Sequence, residues 1–172
     1  MQEIIKKYNI KAKKDLGQNF LMNETILDKI CELSNIKQEN ILEVWPWFWA
    51  LTKKIIDKTP KSLKLIELDK DMINILNDRK KSWDFNLENI DFSIENIDIL
   101  KFDPEFEKYK VIANIPYYIT SPILSRFFYD VKNKPSEMII LMQKEVWDRI
   151  VSNKSSVLSL FIKKKSVVSS EI

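Results

Sequence analysis

The stretch "ILEVWPWFWALTKK", residues 41–54, joins a run of aliphatic side chains to a turn that carries three tryptophans. Ile41–Val44 has the composition of a short buried strand, and the residues after the turn have the spacing of a helix. A tight strand-to-helix turn normally uses glycine, because its backbone enters conformations that a Cβ disfavours. Trp45, Trp47 and Trp49 stand at this turn instead, so their presence needs an explanation.

The same alternation of strand and helix patterns continues along the chain. Strands are predicted at Ile41–Val44, Leu63–Leu68, Ile90–Ile94, Val111–Ala113 and Met138–Met142. Helices are predicted at Asn23–Leu33 (with Asn23 as the N-cap), Leu51–Lys58, Asp71–Lys80 and Pro122–Val131. Short apolar strands separated by helices indicate an α/β fold, in which a mostly parallel sheet has helices on both faces. Ligands of such folds bind at the carboxyl ends of the strands.

Composition limits the chemistry that this chain can carry out. Its 172 residues are enough for one domain with a sizeable core. The sequence has no histidine and a single cysteine, Cys31, which excludes a Ser-His-Asp triad, a Cys-His pair, an internal disulfide and the usual metal clusters. Because no apolar stretch approaches the roughly 20 residues that span a bilayer, and no secretory signal is recognisable, we expect a cytoplasmic protein.

Basic residues are concentrated near the N-terminus. The formal net charge is only +3, but residues 1–14 carry five lysines against Glu3 alone. Such an arm can contact the phosphates of a nucleic acid, or it can simply be a solvated terminus. We expect residues 1–22 to form a basic arm, and residues 23–172 to form the rest of the protein.

Acidic side chains follow two of the predicted strands. Glu67 lies about 20 residues beyond the first turn, where a carboxylate can accept hydrogen bonds from both ribose hydroxyls of a nucleoside cofactor. Asp98 follows the third strand and could accept a hydrogen bond from an adenine amino group. Each residue, taken alone, is equally compatible with an ordinary surface acid.

The segment "NIPYY", which starts at Asn114, follows the fourth strand and suggests chemistry on an exocyclic amine. The side-chain carbonyl of Asn114 and the backbone carbonyl beside Pro116 could both accept hydrogen bonds from such an amine and direct its lone pair. Proline fixes the backbone and removes a competing N–H donor. Tyr117 could stack on an extruded base. The alternative is a turn with a buried tyrosine.

Together these segments resemble the bacterial small-subunit (16S) rRNA adenine N6,N6-dimethyltransferases, a family of class I S-adenosylmethionine-dependent methyltransferases. The resemblance rests on five segments in the order of the family: "LGQNFL" (16–21), "IELD" (66–69), "DILKFD" (98–103), "ANIPYYITSPIL" (113–124) and "LMQKEV" (141–146). "GQNFL" combined with "NIPYYITSP" is far more specific than a lone methyltransferase fingerprint.

The resemblance implies a Rossmann-like fold and a function in ribosome biogenesis. Members transfer methyl groups from S-adenosylmethionine to N6 of two adjacent adenines near the 3′ end of 16S rRNA, in maturation of the small ribosomal subunit. They need no metal and no membrane, and we expect a monomer. By position, the cofactor would contact Asn19, Leu21, Trp45, Glu67, Asp98 and Asn114. Asn114, Pro116 and Tyr117 would present the adenine.

The Trp-rich turn is the main departure from this family, whose first turn reads Glu-x-Gly-Pro-Gly-x-Gly. Trp45, Trp47 and Trp49 occupy the three glycine positions. As written, we expect the indoles to fill the cofactor's volume and to expose a large apolar patch, so that S-adenosylmethionine does not bind. One explanation is decoding: some lineages read the UGA codon as glycine, and a translation that reads UGA as tryptophan would place tryptophan at those glycine positions. Trp83 and Trp147 would then be further candidates for glycine. A natural pseudoenzyme and deliberate inactivation are the others.

A second departure concerns the end of the chain, and rival functions remain open. The family continues with further strands and a small helical domain that are not in these 172 residues, so we expect an incomplete catalytic domain. One rival function is the resistance-type dimethylase that modifies an adenine of 23S rRNA. Another is a non-catalytic, rRNA-binding ribosome assembly factor. A DNA adenine methyltransferase fits less well, because its usual motifs lack the "GQNFL" element.

Overall fold

A computed structural model describes residues 24–46, 49–81 and 87–141. The strands are β1 (Asn40–Val44), β2 (Ser62–Glu67), β3 (Asp91–Asn96), β4 (Lys110–Asn114) and β5 (Glu137–Leu141). The α-helices are α1 (Glu24–Ser34), α2 (Ala50–Asp57), α3 (Lys70–Lys81) and α4 (Thr120–Ser125). Short 3-10 turns lie at Ile99–Lys101 and Tyr117–Ile119, and a π turn at Arg126–Asp130 follows α4.

The five strands form one parallel sheet in the order β3-β2-β1-β4-β5. All five predicted strands are confirmed, and each boundary lies within two residues of its prediction. β1 and β4 are almost continuously buried, as expected for central strands with helices on both faces. The prediction of an α/β fold with a parallel sheet is therefore confirmed.

Alternate residues of β1, β2, β4 and β5 enter separate hydrophobic clusters on the two faces of the sheet. On the first face, Ile41, Leu63 and Ile112 belong to a cluster with residues of α1 and α2. On the second face, Leu42 and Val111 belong to a cluster with residues of α4 and the π turn. Burial on both faces explains why a strand such as β4 contains the uninterrupted aliphatic run Val111–Ala113.

The bounds of α1, α2 and α3 lie within one residue of their predictions, whereas α4 differs more. The predicted N-cap of α1, Asn23, lies outside the described residues. The helix predicted at Pro122–Val131 begins earlier, at Thr120, and its regular part ends at Ser125. Pro122 is tolerated because it lies in the first turn, where a missing N–H costs no helical hydrogen bond. The N–H of Val131 then donates to the Arg126 carbonyl at 3.1 Å, five residues back, which is the π pattern.

Lys110 connects several elements at the amino edge of the sheet, where the strands begin. Its side chain is 10% exposed, and its Nζ donates to the carbonyls of Ser34 (2.7 Å) and Asn35 (3.2 Å) at the end of α1. The same ammonium lies 3.3 Å from the Glu137 carboxylate and 3.8 Å from that of Glu39. A cation at a helix C-terminus is favourable, since the free carbonyls there carry partial negative charge.

Among the helices of the described residues, none has the length and apolar character that crossing a membrane requires.

Replacing Lys110 with methionine should destabilise the fold, because the last carbonyls of α1 and the Glu137 carboxylate lose their cation, and Glu39 loses one of its two. We expect the free energy of unfolding to fall by about 2–3 kcal/mol in urea titrations. Lys108→Met is the matched control: its side chain is 68% exposed and lies 3.6 Å from Glu39, so we expect a change below about 0.5 kcal/mol. Equal losses in the two variants would contradict this role of Lys110.

Candidate functional site

The carboxyl edge of the sheet brings together four of the residues predicted to form a site. In the order of the strands, Asp98 follows β3, Glu67 ends β2, Trp45 follows β1 and Asn114 ends β4. With strands about 4.8 Å apart, this row spans about 14 Å, which is the scale of a nucleoside with a short side chain. β2 and β4 lie on opposite sides of β1 in the sheet. The strand order therefore reverses between β1 and β4, and sheets of this kind bind ligands at such a reversal.

Glu67 is buried, and its carboxylate is held by the loop that follows it. Oε1 of Glu67 accepts a hydrogen bond of 2.8 Å from the backbone N–H of Asp69. Asp69 in turn caps α3, since its Oδ1 accepts from the N–H of Asp71 at 3.0 Å. The carboxylate therefore has a defined orientation at the end of β2, although its predicted contact with a ribose remains a prediction.

Asp98 has a structural task at the end of β3. One of its carboxylate oxygens accepts a hydrogen bond of 3.0 Å from the N–H of Leu100, which caps the 3-10 turn Ile99–Lys101. The side chain is half-buried, at the same edge as Glu67. Capping fixes the position of Asp98, and its predicted contact with adenine stays a prediction.

The segment from Asn114 to Tyr117 forms a compact turn between β4 and α4. Asn114 is half-buried and pairs with Leu141 of β5, and Pro116 is buried. The Pro116 carbonyl accepts from the N–H of Ile119 (3.3 Å) and from the hydroxyl of Thr120 (3.4 Å). Tyr117 begins the 3-10 turn directly after the proline. Because the Pro116 carbonyl is engaged within the turn, the carbonyl of the preceding residue is the better candidate to meet a substrate.

The backbone of the Trp-rich turn has the geometry that glycine normally supplies. Trp45 has φ 60°, and Trp49, which precedes α2, has φ 73° and ψ 3°. This left-handed region costs about 1–2 kcal/mol for a residue with a Cβ, whereas glycine enters it freely. The prediction that this turn needs such conformations is therefore confirmed at both described positions.

The prediction that the indoles expose a large apolar patch is wrong for Trp45 and Trp49. Trp45 is 7% exposed and belongs to the cluster on the second face of the sheet, whereas Trp49 is 2% exposed and belongs to the cluster on the first face. The Trp49 ring meets Phe92 edge-on, with 6.1 Å between ring centroids. Each indole enters the core on one side of the sheet, because burial of aromatic surface outweighs the cost of the backbone conformation.

These features determine how well the site fits the cofactor that the sequence implies. The β2 and β3 ends offer a buried, oriented carboxylate and a capped aspartate, which suit the hydroxyls and base of a nucleoside. The first turn does not suit the rest of the molecule. A cofactor lying against this backbone needs glycine, whereas Trp45 and Trp49 each carry a Cβ at a position of positive φ, although their indoles are buried in the core.

Glu43 is a buried acid near the end of β1, two residues before the Trp-rich turn begins. It is 1% exposed and lies on the first face, beside the buried hydroxyl of Thr52. Burial raises the pKa of Glu43 to about 8, and Thr52 opposes this effect in part. Among the described residues, neither carboxylate oxygen has a hydrogen-bond partner of regular geometry. A carboxyl group two residues before the turn is therefore largely protonated near neutral pH.

Two side-chain features of the site were not predicted. Asn96 ends β3 and donates hydrogen bonds to the loop after Glu67. Leu68, within that loop, is 47% exposed. Leu68 lies within the segment "IELD" and Asn96 lies just after the third predicted strand, but nothing in a pattern of single letters identifies which amide or which aliphatic side chain lies at this edge.

Several predicted residues lie outside the described part of the chain: Asn19, Leu21, Trp47, Trp83 and Trp147. Within the described part, no group of three or more His, Cys, Asp or Glu side chains is placed to hold a metal ion.

The model of one protein family matches nearly all of this sequence. The family is described as ribosomal RNA adenine dimethylase, and the match covers residues 9–167. The chain belongs to this family. The resemblance drawn from the quoted motifs is thereby confirmed.

Curated relatives agree with this family assignment. A protein of Clostridium acetobutylicum named "Ribosomal RNA small subunit methyltransferase A" is 37% identical over 156 residues, which are 90% of this chain and 55% of the relative. Proteins of the same name are 42% identical in Mycoplasmopsis synoviae (84% of this chain, 54% of the relative) and 46% identical in Prochlorococcus marinus (86% and 54%). The chain thus spans about half the length of the curated relatives it matches.

Solved structures support the same fold. A dimethyladenosine transferase from Plasmodium falciparum is 27% identical, with a TM-score of 0.67 over 84% of this chain and 51% of that one. The 23S rRNA methyltransferase ErmE superimposes with a TM-score of 0.62 at 23% identity, over 76% of this chain and 50% of that one. The Rossmann-like methyltransferase fold predicted from the sequence is confirmed.

Glycine and alanine replacements at Trp49 should reveal the strain in the turn. Both remove the indole and its burial, but only glycine relieves the positive φ, so we expect Trp49→Gly to be more stable than Trp49→Ala by about 1 kcal/mol in chemical denaturation. At Ile55, buried within α2, the order should reverse, with alanine more stable than glycine by about 1 kcal/mol. The same order at both positions would contradict the conformation described for Trp49.

The raised pKa of Glu43 should give the fold a characteristic pH dependence. Between the ordinary value of 4.5 and about 8, the folded chain keeps a proton that the unfolded chain releases, so stability falls as pH rises through this range. Glu43→Gln cannot titrate. We expect its free energy of unfolding, relative to the parent, to increase by about 2–4 kcal/mol from pH 5 to pH 8. A pH-independent difference between the two proteins would show that Glu43 ionises normally.

Proposed function

We propose that this protein is a catalytic-domain chain of an rRNA adenine N6-dimethyltransferase that acts on 16S rRNA in a small-subunit precursor. Its substrate would be two adjacent adenines near the 3′ end of that RNA. The observation that carries the proposal is the Asn114–Pro116 turn at the end of β4, within a family match that spans residues 9–167. The names of the curated relatives favour the small subunit over the large one.

The turn that begins at Asn114 would bind and polarise the N6 amine of an adenine. An adenine N6 amine is a poor nucleophile, because its lone pair is conjugated with the ring. Two acceptors, the Asn114 side-chain oxygen and the Ile115 carbonyl, would bind its two N–H groups and favour a tetrahedral nitrogen. Tyr117 would stack on the extruded base. Holding the amine in line with the methyl donor supplies much of the acceleration, because a bimolecular step then becomes intramolecular.

The residues on the other half of the edge would hold the cofactor. S-adenosylmethionine supplies the methyl group and a sulfonium leaving group when it is bound. The Glu67 carboxylate would accept hydrogen bonds from the ribose hydroxyls, and Asp98 would accept one from the adenine amine. Asn19, Leu21 and the backbone at position 45 are further proposed contacts. We propose no metal in this reaction.

The Trp-rich turn leads us to propose that the active form of this protein carries glycine at positions 45, 47 and 49. Positive φ angles at Trp45 and Trp49 support this, because both positions require a backbone that glycine adopts without cost. Decoding of UGA as glycine would account for all three positions at once. It would also account for a single glycine, Gly17, in 172 residues.

A second candidate is a non-catalytic rRNA-binding factor in ribosome assembly. The burial of Trp45 and Trp49 favours it, since a chain with tryptophan at these positions still forms two packed cores. This candidate needs no cofactor. It is therefore distinguished from the enzyme by whether glycine at the turn creates an affinity for S-adenosylmethionine.

A mass measurement on the protein from its source cells tests the residues at the turn. We expect the peptide spanning Ile41–Lys53 to have the mass of a sequence with three glycines. Three tryptophan masses would remove the decoding explanation and favour the assembly factor.

The function itself is tested with a Trp45→Gly, Trp47→Gly, Trp49→Gly variant. We expect calorimetry to detect binding of S-adenosylmethionine to this variant and not to the chain as written, because the turn can then approach the cofactor. Trp83→Gly, outside the turn, should gain nothing. In the variant, methyl transfer should go to 16S rRNA of unmethylated small subunits, and Asn114→Ala should reduce it at least about 100-fold. Transfer to 23S rRNA instead would favour the resistance-type rival.

A further inference from the structure

Asn96 joins the ends of β2 and β3 at the carboxyl edge. It is the last residue of β3 and stands opposite Glu67 in the register of the two strands. Its side-chain Nδ2 donates two hydrogen bonds, one to the Glu67 carbonyl at 3.0 Å and one to the Leu68 carbonyl at 3.1 Å. A carboxamide NH2 has two N–H groups, so each carbonyl receives one of them.

The two carbonyls belong to the loop whose other end is fixed by α3. The N–H of Asp69 donates to the Glu67 carboxylate at 2.8 Å, and the N–H of Ile73 donates to the Asp69 carbonyl at 3.0 Å. The first bond joins Asp69 to the Glu67 carboxylate, and the second attaches Asp69 to the helix. The bonds from Asn96 attach the same loop to the sheet, directly at the residue that carries the carboxylate.

We propose that Asn96 is a positioning residue for the cofactor, which acts by fixing the β2–α3 loop. Because the carbonyls of Glu67 and Leu68 are hydrogen-bonded to Asn96, the Glu67 carboxylate and the exposed Leu68 side chain are already positioned before a nucleoside binds. The entropy lost by ordering the loop on binding is then smaller, and this is how a preorganised site gains affinity. The proposal rests on the proposed function, because it takes the ligand to be the nucleoside part of S-adenosylmethionine.

The choice of residue suits this role. Asn96 is uncharged, so it binds the two carbonyls without placing a cation beside Glu67, where a salt bridge would compete with ribose hydroxyls. An aspartate at the same place would have no N–H groups and would set a negative charge against two carbonyl oxygens. Loop order should therefore fall from asparagine to alanine and further to aspartate.

The first arm of the test measures hydrogen exchange in the chain as written and needs no cofactor. In Asn96→Ala we expect the amides of Asp69 and Asp71 to exchange about tenfold faster, because the loop opens locally more often. In Asn96→Asp we expect these amides to exchange faster still. Amides of β1 should keep the rates of the parent, and Asn77→Asp, an exposed change on α3, should leave the loop unchanged. Loop amides that exchange at the parent's rate in Asn96→Ala would overturn the proposal.

The second arm measures binding of S-adenosylmethionine to the glycine-containing variant, with and without Asn96→Ala. We expect about tenfold weaker binding and a raised KM for the cofactor, with KM for the RNA and kcat at saturating cofactor within about twofold. A looser loop with unchanged affinity would overturn the positioning role. If the glycine-containing parent itself does not bind, the proposed function fails, and the first arm still decides whether Asn96 holds the loop.

Discussion

The buried ammonium of Lys110 is the interaction on which the arrangement of the sheet depends. It lies where β4 begins, binds the last carbonyls of α1 and meets carboxylates that precede β1 and begin β5. A lone cation in such a place would be unfavourable, and these partners together replace the water that it loses. One charged group thus fixes α1 against three strands at their starting points.

Fixing the starts of the strands also fixes their ends. The five strands are five or six residues long and all run in one direction, so strands that begin together also end together. Glu67 and Asn114 are consequently presented at one edge, although 47 residues separate them in the sequence (114 minus 67). The sheet determines which residues lie together at this edge. The loops supply the hydrogen bonds that orient the individual carboxylates.

The sequence predicted those parts of the fold that depend on continuous burial. Runs such as Val111–Ala113 are buried on both faces, and this produces a continuous aliphatic pattern. Side chains with partners far along the chain were not predictable in the same way. Lys110 reads as one lysine among many, and Asn96 as one polar residue at a strand end. The burial of Trp45 and Trp49 was missed because a turn is normally expected to face solvent, whereas both indoles reach back into the core.

Cys31 can report on the local opening of α1 away from the sheet. The thiol is 2% exposed within the cluster between α1 and the sheet, and burial together with the nearby Glu43 raises its pKa to about 12. A neutral, enclosed thiol reacts with neither alkylating reagents nor oxidants while the helix stays in place. Because it is the single cysteine of the chain, the rate of its chemical labelling reports how readily α1 exposes the first face, with no engineered label required.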